Sequence, residues 1–134
     1  MAILFEKLIL SIMEDEIREN YRQFGFKSKS SINHAIFALR ETIIHYRNKN
    51  KHIYACFLDF SKAFDKVNRQ ILLNKLKQKL NPYVWGALYD YYSKSTIAIR
   101  NNGTLLNDLK TTIGVKQGGP LSPKLFAVYV DELI

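Results

Sequence analysis

One cysteine, three prolines, one tryptophan and two methionines are all that 134 residues hold of those types. A single thiol excludes a disulfide framework within the chain, so no disulfide partner is expected. Cys56, set in an apolar run, is expected to be a buried, reduced thiol. His34, His45 and His52 have no cysteine partners and no zinc spacing, so no metal site is built on histidine. Long hydrophobic runs are scarce as well. Glu6 and Lys7 interrupt the apolar opening MAILFEKLILSIMEDE, leaving too little for a signal-peptide core or a membrane span. No membrane partner is expected, and the chain reads as intracellular, in nucleus or cytoplasm. Internal repeats and low-complexity segments are lacking too.

Negative charge is missing where it would be most informative. No acid occurs between Lys66 and Tyr89, while Lys66, Arg69, Lys75, Lys77 and Lys79 supply five positive charges. Residues 1–20 and 131–134 carry seven acids against two bases, which leaves residues 21–130 with eighteen bases against five acids. The overall charge of +8 therefore understates a strongly basic middle. Such a surface meets phosphates, and Lys75, Lys77 and Lys79 are the candidate nucleic-acid contacts. With 47% hydrophobic residues the chain has enough apolar material for one core, and one domain is expected over residues 1–134.

Periodicity predicts a helix over residues 2–20, with Leu4, Leu8, Ile12 and Met13 near one face. After the connector RQFGFKSKS, Ser30 or Ser31 can cap a second helix with a stripe of Ile32, Ile36, Leu39, Ile43 and Tyr46. IYACFLDF, residues 53–60, reads as a strand buried on both faces. Val67, Ile71, Leu72, Leu76 and Leu80 give a third helix its buried side, and Asn81 with Pro82 ends it. An aromatic helix over 83–93 follows. TIAIR and LKTTIGV, on either side of NNGTLLND, read as a β-hairpin. Ser122 and Pro123 suit the cap and first turn of a closing helix through Val130. The expected class is α+β, a small, mostly antiparallel sheet packed with helices.

Asp59 ends the apolar run 53–60, where a packed carboxylate would lose several kcal/mol of hydration unless a cation or donors replaced the water. Asp65 follows at the turn into the third helix. GVKQGGPLSPKLF then supplies a glycine-rich turn feeding a helix, a natural seat for phosphate or a base pair. Together these features point to phosphoryl transfer on nucleic acid, a reaction in which carboxylate-held divalent metal neutralises the triphosphate.

FLDFSKAFDKVNRQILLNKL and GVKQGGPLSPKLFAVYVDEL closely resemble the first two catalytic palm motifs of reverse transcriptases, particularly those of non-LTR retrotransposons. QFGFKSKSS resembles the fingers segment that precedes them. The resemblance extends from Phe5 to Ile134. It implies a partial fingers and palm of a right-hand polymerase, an RNA-directed DNA polymerase acting with Mg²⁺ or Mn²⁺ on deoxynucleoside triphosphates, an RNA template and a DNA primer. Asp59 would be the catalytic, metal-binding aspartate, with the Phe60 backbone carbonyl as a second ligand. Phe64 would be the steric gate beneath the incoming sugar. Backbone amides of Ser61, Lys62 and Ala63 would meet the triphosphate, Lys27 or Lys29 would reach it from the fingers, and Gln117 and Gly118 would line the nascent base pair. Family members carry a later hairpin with an aromatic residue, any residue and two aspartates. The chain ends before it, and Asp131 and Glu132 are no substitute. On this reading the chain is a fragment, inactive alone. The alternatives are a noncatalytic nucleic-acid-binding module derived from such a palm, or a maturase-like protein in which the palm is only structural.

Overall fold

A computed structural model describes residues 2–18, 20–27, 29–102, 104–105 and 109–133. Helix α1 (Ala2–Glu16) is apolar on more than one side, so its periodicity alone does not choose the inward face. Ile9 and Met13, a turn apart, are buried with Ile17 beyond the helix end. Leu4 and Leu8, expected inside, lie at the surface, and Glu6 takes an inward position instead.

Two asparagines build the centre. Asn68 caps α3 (Arg69–Lys79) by accepting a hydrogen bond from the Ile71 amide at 3.1 Å. Asn81 stops that helix and caps α4 (Pro82–Ser93), accepting from the Tyr83 and Val84 amides at 3.1 and 3.0 Å. Each cap is worth about 1 kcal/mol, and Pro82 fits the first turn because its missing amide hydrogen has no work there. Helix α3 packs against α4 and against α5 (Ser122–Val130), which runs into a 3-10 turn at Asp131–Leu133. Met13, Val67, Leu72, Leu76, Leu88, Leu121 and Leu125 are essentially sealed from solvent. Ile71, expected among them, is half exposed, and Leu73 is buried in its place. Leu121 rather than Ser122 occupies the cap position of α5.

The hairpin is present, with Thr96 opposite Lys110 and Ile97 opposite Leu109 across β1 (Thr96–Ile97) and β4 (Leu109–Lys110). The expected turn itself carries a second antiparallel pair, β2 (Arg100–Asn101) with β3 (Thr104–Leu105). Residues 103 and 106–108 of that turn, and Ser28 of QFGFKSKSS, lie outside the described residues. The fold is thus α+β, but its strands form two small ladders exposed along their length rather than a sheet packed beneath helices.

The largest departure concerns residues 53–60. Residues 51–60 adopt no regular secondary structure, and Tyr54, Phe57 and Leu58 are 94, 81 and 86% exposed. A strand exists only where its amides and carbonyls find a ladder partner, and among the described residues none lies alongside. Cys56 is consequently exposed; it is free, and the chain's one cysteine forms no disulfide. Helix α2 (Ile32–Arg47) forms where expected, yet its apolar stripe has no buried residue. Ser31 stands at its cap without a side-chain bond. No described helix is long and apolar enough to cross a membrane.

Candidate nucleotide site

Residues 64–69 and 111–117, far apart in sequence, are fastened by a short run of backbone bonds. Val115 N–H donates to the Phe64 carbonyl at 2.9 Å and Gly114 N–H to the Val67 carbonyl at 2.8 Å. Asn68 and Ile113 form an isolated antiparallel bridge beside them. Gly114 has φ +78°, and a Cβ there would stand 2.8 Å from the Asp65 backbone oxygen, so both torsion and space require glycine.

Arg69 locks the arrangement. Its Nε donates to the Gly114 carbonyl at 2.7 Å, Nη1 to the Tyr92 carbonyl at 3.3 Å and to the Thr111 carbonyl, and Nη2 to Thr111 Oγ1 at 3.0 Å. The guanidinium also lies 5.0 Å from the Tyr92 ring centroid. Burial lowers its pKa from the ordinary arginine value, with the Tyr92 hydroxyl opposing. Arg69, counted from sequence with the basic stretch, is therefore an interior clamp.

This fastening brings Phe64, Gln117 and Gly118 to one cavity of about 380 Å³, shared with Lys116, Ser122 and Pro123. Phe64 is half-buried, edge-on to Phe26 at 6.3 Å and tilted against Phe126 at 5.1 Å between centroids. Such pairs are worth about 0.5–1.5 kcal/mol each beyond burial and fix the ring's direction. Gln117 Nε2 donates to Asp65 Oδ1 at 2.6 Å, which gives Asp65 a supporting role. Gly118 has φ +80°, and nothing lies within 4 Å of where its Cβ would be, so the space beside it is open. A larger cavity of about 890 Å³ opens between the hairpin and the same loop, sharing Asp65, Arg69 and Gln117.

The other sequence candidates stand apart. Asp59 is exposed, contrary to the expectation of a dehydrated carboxylate needing a partner, because the segment carrying it is not packed. Phe60 is half exposed, its ring 6.5 Å from that of Phe126. Ser61, Lys62 and Ala63 form a turn, with Lys62 at φ +54° and Ser61 Oγ accepting from Lys66 Nζ at 3.3 Å. Lys27 donates to the Asn20 carbonyl at 3.2 Å, and Lys29 is exposed at φ +58°. Lys75 donates to the Tyr129 carbonyl at 2.9 Å and pairs with Glu132 at 3.1 Å. Lys79 pairs with Asp131 at 3.0 Å, and Lys77 lies 5.4 Å from the Trp85 ring centroid. All three lysines thus already have partners within the chain.

Among the described residues no three His, Cys, Asp or Glu side chains come together as ligands, and Asp59 offers one carboxylate. The described residues alone do not make a metal centre.

Sequence reasoning missed the structural roles of Glu6, Arg69 and Gly114. An acid inside an apolar helical opening, and a lone glycine between Ile113 and Val115, were the available signals, the latter typical of close backbone approach. Glu6 accepts from the Tyr91 hydroxyl at 2.5 Å and from the Leu121 amide at 3.4 Å. Burial, then the hydrogen bond to Glu6, raises the Tyr91 pKa. Burial, then the charge of Glu6, pushes Tyr92 up to about 12.

Residues 4–134 match the reverse transcriptase (RNA-dependent DNA polymerase) family, and the chain belongs to it. Its similarity is to polymerases of non-LTR retrotransposons. It is 29% identical over 134 residues to a "Probable RNA-directed DNA polymerase from transposon X-element" of Drosophila melanogaster, covering 97% of this chain and 15% of that protein. With the corresponding protein of transposon BS from the same species it shares 27% over 139 residues, again 15% of the relative. With a "Retrovirus-related Pol polyprotein from type-1 retrotransposable element R2" of Nasonia vitripennis it shares 34% over 95 residues, 66% of this chain and 9% of the relative. The chain thus spans about 15% of the length of the first two relatives.

Proposed function

We propose that this chain supplies the nucleotide-selecting part of an RNA-directed DNA polymerase working on a primed RNA template. The observation that carries this reading is the meeting of Phe64, Gln117 and Gly118 around one cavity of about 380 Å³. Phe64, held by Phe26 and Phe126, lies under the sugar of the incoming nucleotide and leaves no room for a 2′-hydroxyl. Gly118, with no side chain, lets the base pair approach the backbone. Gln117, tethered to Asp65, borders the same pair. The amides of Ser61, Lys62 and Ala63, with Lys27 or Lys29, meet the triphosphate. Asp59 and the Phe60 carbonyl would be the chain's contribution toward holding a Mg²⁺ or Mn²⁺ ion, which would neutralise the phosphates and lower the pKa of the attacking hydroxyl.

The test is a segment exchange. Put in place of the matching stretch of a related element's polymerase, this chain should support DNA synthesis on RNA. In that protein Phe64→Val should admit ribonucleotides by opening space for the 2′-hydroxyl. A polymerase that extends primers with unchanged sugar preference after Phe64→Val would remove the gate.

A further inference from the structure

We propose that Glu6 is a positioning residue that holds the turn at 117–119 in register with Phe64, and that Gly119 is glycine to make room for its carboxylate. This rests on the nucleotide-selecting function argued above.

Glu6 is 3% exposed, and a carboxylate taken so far out of water is costly unless its oxygens are bonded. Oε1 accepts from the Tyr91 hydroxyl at 2.5 Å and Oε2 from the Leu121 amide at 3.4 Å. Leu121 is the cap position of α5, so the carboxylate also faces the positive end of that helix. Tyr91 is held in turn, 4.8 Å from the Phe5 ring, with Lys116 Nζ 3.8 Å from its ring centroid. The Lys116 carbonyl accepts from Gly119 N–H at 3.3 Å and from the Ser122 hydroxyl. Both ends of the turn are thereby tied to one buried acid through α4 and α5, while Asp65 holds Gln117 from the opposite side.

The paired glycines serve different needs. Gly118 is required by its torsion, φ +80°, with empty space around it. Gly119 lies outside the left-handed region, so its backbone alone would accept alanine. A Cβ there, however, would overlap Glu6 Oε2. An exposed glutamate would swing aside at little cost, but this one would have to give up Tyr91 and Leu121.

The test uses the chain itself, labelled for amide NMR. Glu6→Gln keeps the size of the side chain but cannot accept from both donors. The amides of Gln117, Gly118, Gly119 and Leu121 should shift, while those of Leu72 and Leu76 in α3 stay in place. Titration with a primed RNA template and the complementary deoxynucleoside triphosphate should move the Gln117 and Gly118 amides, with affinity reduced about tenfold in Glu6→Gln. Gly119→Ala should weaken binding similarly when Glu6 is present but by no more than about twofold in the Glu6→Ala background, since the carboxylate no longer opposes the methyl group. Unmoved amides at 117–121 in Glu6→Gln, or an equal cost of Gly119→Ala in both backgrounds, would overturn the proposal. Shifted amides in a chain whose wild type ignores nucleotide would remove the nucleotide reading and leave Glu6 as the residue that places the turn.

Discussion

Replacing Gly114 by alanine tests the junction on which the cavity depends. The φ of +78° costs an L-residue about 1–2 kcal/mol by itself. The new Cβ would also stand 2.8 Å from the Asp65 carbonyl oxygen, a backbone atom that cannot rotate away. Relief requires the two segments to part, which strains the bonds from Gly114 to Val67 and from Val115 to Phe64, each worth about 1 kcal/mol. The sum is about 3–4 kcal/mol, a large share of the roughly 5–15 kcal/mol that holds a domain together. Gly86 in α4 is the control, since nothing lies within 4 Å of its missing Cβ. Gly86→Ala should stabilise by about 0.5–1 kcal/mol, the usual gain inside a helix. Urea denaturation of both variants measures the contrast. A loss under about 1 kcal/mol in Gly114→Ala would refute the close approach and with it the geometry of the site.

High pH should destabilise the protein in a defined window. Tyr92 titrates near 12 in the fold against about 10 unfolded, so its contribution is present below pH 10 and disappears as pH rises to 12. Up to about 2–3 kcal/mol should be lost, and Tyr92→Phe should flatten that limb of the stability curve measured by denaturation. Neutralising Lys75, Lys77 and Lys79 together should reduce the salt slope of binding to a primed RNA template by about 0.7–0.9 for each phosphate they neutralise. An unchanged slope would leave them to Tyr129, Trp85, Asp131 and Glu132. At Asp59, Mn²⁺ should bind weakly and broaden nearby resonances, and Asp59→Asn should abolish the effect; equal broadening in both would take the ion elsewhere.

Much of this arrangement could be read from residue order, and the failures share a cause. Asn81 with Pro82, the stripe Leu72, Leu76 and Leu80, and the hairpin around residues 96–110 are local signals, and all appear in the fold. Phe64, Gln117 and Gly118, which the motif resemblance names together, border one cavity in the fold. Residues 53–60 misled because apolar character reports what a segment would bury, while a strand also needs a neighbouring backbone. The same holds for the stripe of α2, which matches the helical period but finds nothing to cover it among the described residues. The interior roles of Glu6 and Arg69 escaped notice because charge in a sequence suggests solvent. Only the fold shows the carboxylate meeting a tyrosine and an amide, or the guanidinium meeting three carbonyls.

Those three carbonyls come from the end of α4, the base of the hairpin and the loop after it, and they converge on one cation. If the hairpin base lifts, it releases several bonds at once and leaves a charged group among apolar neighbours, so partial detachment gains nothing. The Arg69 clamp should therefore make the end of α4, Thr111 and Gly114 a single cooperative opening unit, whose amides would exchange with solvent through one shared fluctuation. The outer pair of β2 and β3, exposed and not bonded to that guanidinium, should open on its own faster timescale.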